Sequence, residues 1–372
     1  MDTITQGLFG AAVAQVGFRD RIGRETGWVA AWCAASPDLD VFTSRVMDAL
    51  GRDYPLSHLV YHRGVSHSLL AIPVIALLFA GPWWIIRRGI ARRQAAGNLQ
   101  DQSGAPPPFW LLYLCCFLAA ATHGLLDAFT SYGTQLLWPI TRTRYAWDSI
   151  PIIDLFITPL FIIGLIACYV IRRLPMRRRQ LAASSVAAAS LLLVMGYIGT
   201  GRVMHDRAIH RAMTTLGDAE RQTVLQADAY PAIGHIFLWR VVIETPDEWI
   251  ATRVHHFSRD LPTDDEQSRV AKQAGSPWIR RATTVPEYSI YDWFAAGRLR
   301  PVYAHDESSG LHVVLFHDMR YAAGTSGVES LWPLAVEMNA DGRILSVHRT
   351  HPRRDGDFGT FVAMVWQDMW TP

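Results

Sequence analysis

The sequence predicts an all-α polytopic membrane domain, four main spans plus an N-terminal half-buried helical hairpin, followed by a soluble α+β domain. Three observations carry this reading. Half of the 372 residues are hydrophobic and only 18% are charged, where a soluble domain carries about a quarter. The apolar residues crowd into residues 1–200, as runs separated by short arginine-rich loops. Residues 201–372 read as an ordinary soluble chain.

Four runs reach the roughly 20 apolar residues that cross a bilayer. They are Ser68–Ile86, Phe109–Phe129, Ile152–Ile171 and Leu181–Gly199. Pro73, Pro82 and Pro159 should kink them, which spans tolerate when neighbours re-satisfy the backbone. Thr5–Phe18 and Gly27–Ser36 are too short to span and flank a charged turn with Arg19, Arg21 and Arg24. They read as the hairpin, packed against the spans. Trp83, Trp84, Trp110 and Trp138 lie near span ends, as interfacial anchors do.

Arginines orient the chain. Loop 87–108 carries Arg87, Arg88, Arg92 and Arg93, and loop 172–180 carries Arg172, Arg173, Arg177, Arg178 and Arg179. Both should be cytoplasmic. Loop 130–150, with only Arg142 and Arg144, and the C-terminal domain then lie outside. Asn98–Pro108 reads as a linker. In the C-terminal part, His205–Leu225 has helical spacing, and Ile236–Glu244, Trp249–Phe257, Leu311–Asp318 and Ile344–Arg349 read as strands.

Composition also excludes function classes. A net charge of +2 without a basic stripe disfavours a nucleic-acid partner. Cys33, Cys115, Cys116 and Cys168 sit in apolar runs with no CxxC pair, so they read as buried inert thiols. No glycine-rich phosphate loop is present.

Ionisable groups at the ends of apolar spans are costly and mark function. Residues 1–200 hold four histidines: His58, His62, His67 and His123. His62-Arg63-Gly64-Val65-Ser66-His67-Ser68 precedes the first span at its outer end. His123 and Asp127, four apart, share one helix face at the outer end of the second. Asp154 begins the third, again outside. Asp38 and Asp40 follow the second short helix, and an i, i+2 pair in extended chain faces one side. All seven groups reach one depth.

Imidazoles with carboxylates suit Zn²⁺ best, with Mn²⁺ and Fe²⁺ next, as one ion or two. Asp38, Asp40, His62, His67, His123 and Asp127 are the expected metal ligands. Asp154 is read as a weaker ligand or base, or equally as a helix cap, and Arg63 as the holder of an anionic group. Ser66 and the turn Thr130–Gly133 read as helix-end features. His58, the pair His255-His256, and His348 with His351 make no convincing ligand set.

The order of these motifs, after the opening Met1-Asp2-Thr3-Ile4-Thr5-Gln6-Gly7-Leu8-Phe9-Gly10 and with Asp148 and Asp154 before a span, resembles the family of predicted membrane-bound metal-dependent hydrolases. That family was first noticed as a LexA-regulated inner-membrane protein and is distantly similar to zinc-dependent phospholipases C. The resemblance covers residues 1–200 and implies hydrolysis in the bacterial inner membrane. The chain departs from it at Gln6, where the family carries histidine, and at Leu155, where it often carries proline. The reading that results is a membrane hydrolase whose metal-activated water attacks an ester. A phosphoester is favoured, with membrane lipids or a lipid-linked molecule as substrate. A structural or sensory metal site is the first alternative, and an ion transporter the second.

Overall fold

The computed structural model describes residues 1–51, 54–96, 107–258, 267–273, 275–322 and 327–350. Most of the expected linker and His351 lie outside them. The chain forms two compact units. One comprises Met1–Val46, Tyr61–Trp147 and Ile152–Thr200, the other Met47–Val60, Asp148–Pro151 and Gly201–Pro372.

The first unit is helical: α1 Thr3–Gln15, α2 Phe18–Ile22, α3 Thr26–Ala35, α6 Ile72–Ala96, α7 Phe109–Ala128, α8 Ile157–Arg173 and the start of α9 Arg179–Thr214. Two shorter helices, α4 Thr43–Ala49 and α5 Ser57–Tyr61, lie where the chain changes unit. Asp2 starts α1 by accepting the Thr5 N–H at 2.9 Å, as an N-cap does. The hairpin closes because α1 and α3 meet through small residues. A Cβ on Gly10 would collide with the Ala30 carbonyl and the Ala34 methyl. Behind this contact Cys33, Ala34, Cys115, Cys116 and Ala119 are fully buried, and none of the four cysteines is in a disulfide.

Among the described residues, three helices are long and apolar enough to cross a membrane: Ile72–Arg93, Phe109–Ala128 and Arg179–Thr214. The expected third span is not among them. Its helix begins only at Ile157 and runs 17 residues, because Asp154 accepts the N–H groups of Phe156 and Ile157 at 2.8 and 2.9 Å and sets its start there. The expected separate helix from His205 is instead the continuation of α9 to Thr214, and α10 Asp218–Thr223 follows.

The second unit holds two antiparallel four-stranded sheets, each in sequence order. The first is β1 Gln226–Pro231, β2 Leu238–Glu244, β3 Glu248–His255 and β4 Gln267–Ala271. The second is β5 Leu299–Asp306, β6 Leu311–Asp318, β7 Leu334–Met338 and β8 Ile344–Arg349. The short helices α11 Pro277–Ala282 and α12 Pro286–Phe294 lie between them in sequence. Tyr230, Val242, Trp249 and Met319 form one buried cluster, and the Arg240 guanidinium is buried on the carbonyls of Gly327 and Met319.

Two expectations follow. Gly10→Ala should cost about 1–3 kcal/mol by overpacking the α1–α3 crossing. Gly89→Ala, with nothing within 4 Å, should cost nothing. Thermal midpoints in detergent check this. In the second unit, burial and the nearby Arg300 push His317 down to about 4, and its Nδ1 accepts the Ser330 N–H at 3.0 Å. Burial and His255 push His235 to about 4 as well. Unfolded histidine protonates near 6.5, so the unfolded chain binds more protons between the two values. Stability should therefore fall as pH drops from about 6.5 to 4. Unfolding of this unit at pH 5 and pH 7.5 should show that fall, and less of it in His317→Asn.

Candidate metal centre

Four side chains of the first unit bring one ligand atom each to a common point: Asp38, His67, His123 and Asp127. His67 Nε2 lies 3.0 Å from His123 Nε2, 3.4 Å from Asp38 Oδ1 and 3.2 Å from Asp127 Oδ2. His123 Nε2 lies 3.3 Å from Asp38 Oδ1 and 3.6 Å from Asp127 Oδ2. Zinc bound at about 2.0 Å to four donors needs tetrahedral edges of about 3.3 Å. These five edges scatter around that value. His67, His123 and Asp127 are buried, and Asp127 Oδ2 has no well-directed hydrogen bond although Arg63 Nε is 3.1 Å away. An oxygen aimed at the centre without a donor suits a cation.

Local structure sets each ligand. His123 and Asp127 stand one turn apart on α7, five residues and one residue before its C-terminal end. The His123 Nδ1–H donates to the Ala34 carbonyl, which leaves Nε2 free to ligate. His67 ends the 3₁₀ turn Val65–His67, and its carbonyl packs on Gly124, where any Cβ would collide with it. Asp38 lies in the 3₁₀ turn Ser36–Phe42, with Thr3 Oγ1 donating to its other oxygen.

Electrostatics favours a positive charge at the centre. Burial pushes the Asp38 and Asp40 carboxyls up, yet hydrogen bonds from His123 and His67, and from His62 and His67, hold both well below the usual range. Burial likewise pushes His67 down, but Asp127, Asp38 and Asp40 outweigh it and raise it to about 10.

The remaining expected ligands stand behind or beside this quartet. Asp40 Oδ2 faces His67 Nδ1 at 3.1 Å, and also accepts Ser66 Oγ at 2.7 Å and the Arg63 N–H at 3.0 Å. It orients His67 rather than reaching the centre. His62 sits on the other Asp40 oxygen, Nδ1 to Oδ1 2.7 Å, at a rim where its side chain is 25% exposed.

Arg63, expected to hold a substrate anion, is instead buried and committed to the protein. Its Nε faces Asp127 Oδ2, and its Nη1 donates to Thr130 Oγ1 at 2.8 Å. A positive φ of 59° at Arg63 turns the backbone so that its N–H meets Asp40 while its side chain meets Asp127. Asp154 is outside the quartet as well. It caps α8, and its second oxygen accepts Tyr197 Oη at 2.9 Å.

Gln6 is buried and donates to Asp127 Oδ1 at 3.0 Å, leaving its own Oε1 without a partner. The Ala34 carbonyl is a contributor that sequence reasoning did not single out, whereas Thr130, read there as part of a helix-end turn, accepts from Arg63 beside the centre. A backbone carbonyl carries no sequence signal, and Thr130 could have been found only from its place in the turn after Asp127.

These roles separate under mutation. Asp38→Ala and His67→Ala should abolish metal binding. Asp40→Asn should weaken it about 10–100-fold, as loss of an orienting carboxylate does. Asp154→Asn should leave metal affinity unchanged and lower the thermal midpoint. Metal titration of the purified variants reads all four.

No curated protein and no solved structure matches this chain. A family model described as YdjM inner membrane protein matches residues 1–206. That span is more than half of the 372 residues and holds the whole quartet; the chain belongs to the YdjM inner membrane protein family.

Proposed function

We propose that this membrane protein is a divalent-metal-dependent hydrolase of ester bonds, with zinc the best-fitting ion. The observation that carries the reading is the two-imidazole, two-carboxylate quartet at tetrahedral spacing. A divalent ion in such a set supplies a Lewis acid and lowers the pKa of water in its shell toward about 7.

The chain's own groups do the rest. Asp38 and Asp127 supply the ligand charge. Asp40 fixes His67 in the tautomer that ligates and raises its basicity. His62, held by Asp40 at the exposed rim, is placed to take a proton from the centre's edge and release it to solvent. Arg63 and Gln6 lock the Asp127 carboxylate in place. With Arg63 spent in this way, the preference for a phosphoester loses its sequence-level support, and carboxylic esters stand beside it. The arginines of loops 87–108 and 172–180 support a cytoplasmic position for those loops, and so an extracytoplasmic position for the centre.

One observation favours a second reading, a structural or sensory metal. Four protein donors close a tetrahedral shell, and closed shells are the mark of structural zinc. Full-length protein in detergent decides between them. Elemental analysis should find about one divalent ion per chain. Chelation should remove hydrolysis of bis-p-nitrophenyl phosphate or of p-nitrophenyl acetate, and zinc should restore it. Stoichiometric metal with no ester hydrolysed would establish the structural reading. Absence of metal in wild type would end both.

A further inference from the structure

We infer that the metal centre lies inside the bilayer and opens sideways into it, so that its substrate is an amphiphile whose acyl chain lies along Leu39, Val41 and Phe42. The depth follows from helix lengths and the placement of the arginines; the assignment of a substrate rests on the hydrolase reading.

Two measurements place the centre below the membrane surface. α7 is 20 residues long, about 30 Å, which is the thickness of the hydrocarbon layer. His123 and Asp127 stand five residues and one residue before its end, so the centre they share lies up to about 8 Å in.

α1 gives the second measurement. Its first residue, Thr3, donates to Asp38 at the centre. Its last, Gln15, accepts from Arg172 at 3.3 Å, among the arginines that mark the opposite face. Twelve residues of helix separate those levels, about 18 Å. A layer of about 30 Å leaves the centre about 12 Å short of the other surface. The two counts start from opposite ends of the unit, and both put the centre inside the layer.

At that depth the centre is closed on one side and apolar on the other. The chain after α7 covers its end: Thr130, Thr134, Gln135 and Leu136 are buried, the Gln135 N–H donates to the Arg63 carbonyl, and the Leu69 N–H donates to Leu136. The turn Ser36–Phe42 forms another wall and is two-sided. Asp38 and Asp40 face inward with their side chains 13% and 8% exposed, while Leu39, Val41 and Phe42 are 63%, 53% and 50% exposed.

Three large apolar side chains at a level already inside the hydrocarbon face lipid, not water. Val46, Trp28 and Trp32 are exposed as well, and the Arg45 guanidinium lies over the Phe42 ring, 5.7 Å from its centre, as a cation reaching from an apolar level toward the headgroups does. An acyl chain lying there brings an ester at the head of the tail beside Asp38. No protein segment or soluble partner is needed to cover this surface, because the bilayer that covers α6 and α7 is continuous with it.

The test uses full-length protein in phosphatidylcholine–phosphatidylglycerol vesicles, labelled with bimane at Leu39→Cys or Phe42→Cys, with Glu307→Cys on an exposed turn as the aqueous reference. The native thiols are buried. Labels at Leu39 and Phe42 should be quenched by lipid spin-labelled high on the acyl chain, and about fivefold less than the Glu307 label by iodide, which the hydrocarbon excludes. Iodide quenching equal to the reference would overturn the depth.

The substrate half is read separately. In Leu39→Ser/Val41→Ser the ratio of kcat/KM for a long-chain over a short-chain ester should fall about tenfold, the worth of one buried leucine contact. An unchanged ratio would overturn the acyl-chain assignment. If wild type hydrolyses neither ester, the hydrolase reading fails and takes the acyl-chain assignment with it. The quenching result still decides the depth.

Discussion

A fully buried carboxylate near the end of a membrane helix organises the first unit. Asp127 cannot stay ionised in an apolar interior without compensation, which is worth several kcal/mol per ion. The protein brings that compensation from separate segments. Arg63 comes from the strained turn after α5, His67 from the next turn and Gln6 from α1. Each of these makes further bonds, Arg63 to Thr130 and His67 to Asp40, so satisfying one charge fixes four stretches of chain. Gly124, one residue beyond His123, belongs to the same requirement, because only a residue without a side chain lets the His67 backbone come close enough.

Much of the site was legible in the sequence because its chemistry is rare in membrane segments. Counting arginines put the histidines and aspartates at one depth, and four of them meet. What the residues could not show is which groups ligate and which orient. The i, i+2 spacing of Asp38 and Asp40 predicts an extended pair facing one side. They lie in a 3₁₀ turn, where three residues complete a turn and i, i+2 positions diverge. One therefore reaches the centre, and the other braces His67 from behind. His62 and His67 part company for a similar reason, since the positive φ at Arg63 lies between them. Asp154 took the cap, the bland option for a carboxylate at a helix start.

The fold shows the same limit. Hydropathy gives the existence of apolar helices but not their ends. α8 starts late because of its cap, and α9 passes through Gly199 and Gly201 because neither comes with a proline or any other stop. In the C-terminal unit the strands that alternate or run apolar in sequence, β2, β3, β6 and the edge strand β8, are readable. The other three edges, β1, β4 and β5, are not. They carry prolines or mostly polar residues, as edges do to avoid pairing with other chains, and so lack the apolar rhythm of central strands. The fourth strand that is not readable, β7, is central but only five residues long.

Charge balance joins the site to its depth. The cluster gathers Asp38, Asp40 and Asp127 around the Arg63 guanidinium, with the Met1 ammonium also on Asp127. A divalent ion held by neutral imidazoles would add positive charge where these carboxylates crowd. Metal binding is thus tied to keeping a dense set of carboxylates in an apolar layer, whether or not chemistry follows. The same balance restricts recognition. Arg63 is committed to Asp127 and Thr130, so an anionic headgroup gains no free charge from it. On the proposed reading, discrimination between substrates falls to the apolar side formed by Leu39, Val41 and Phe42.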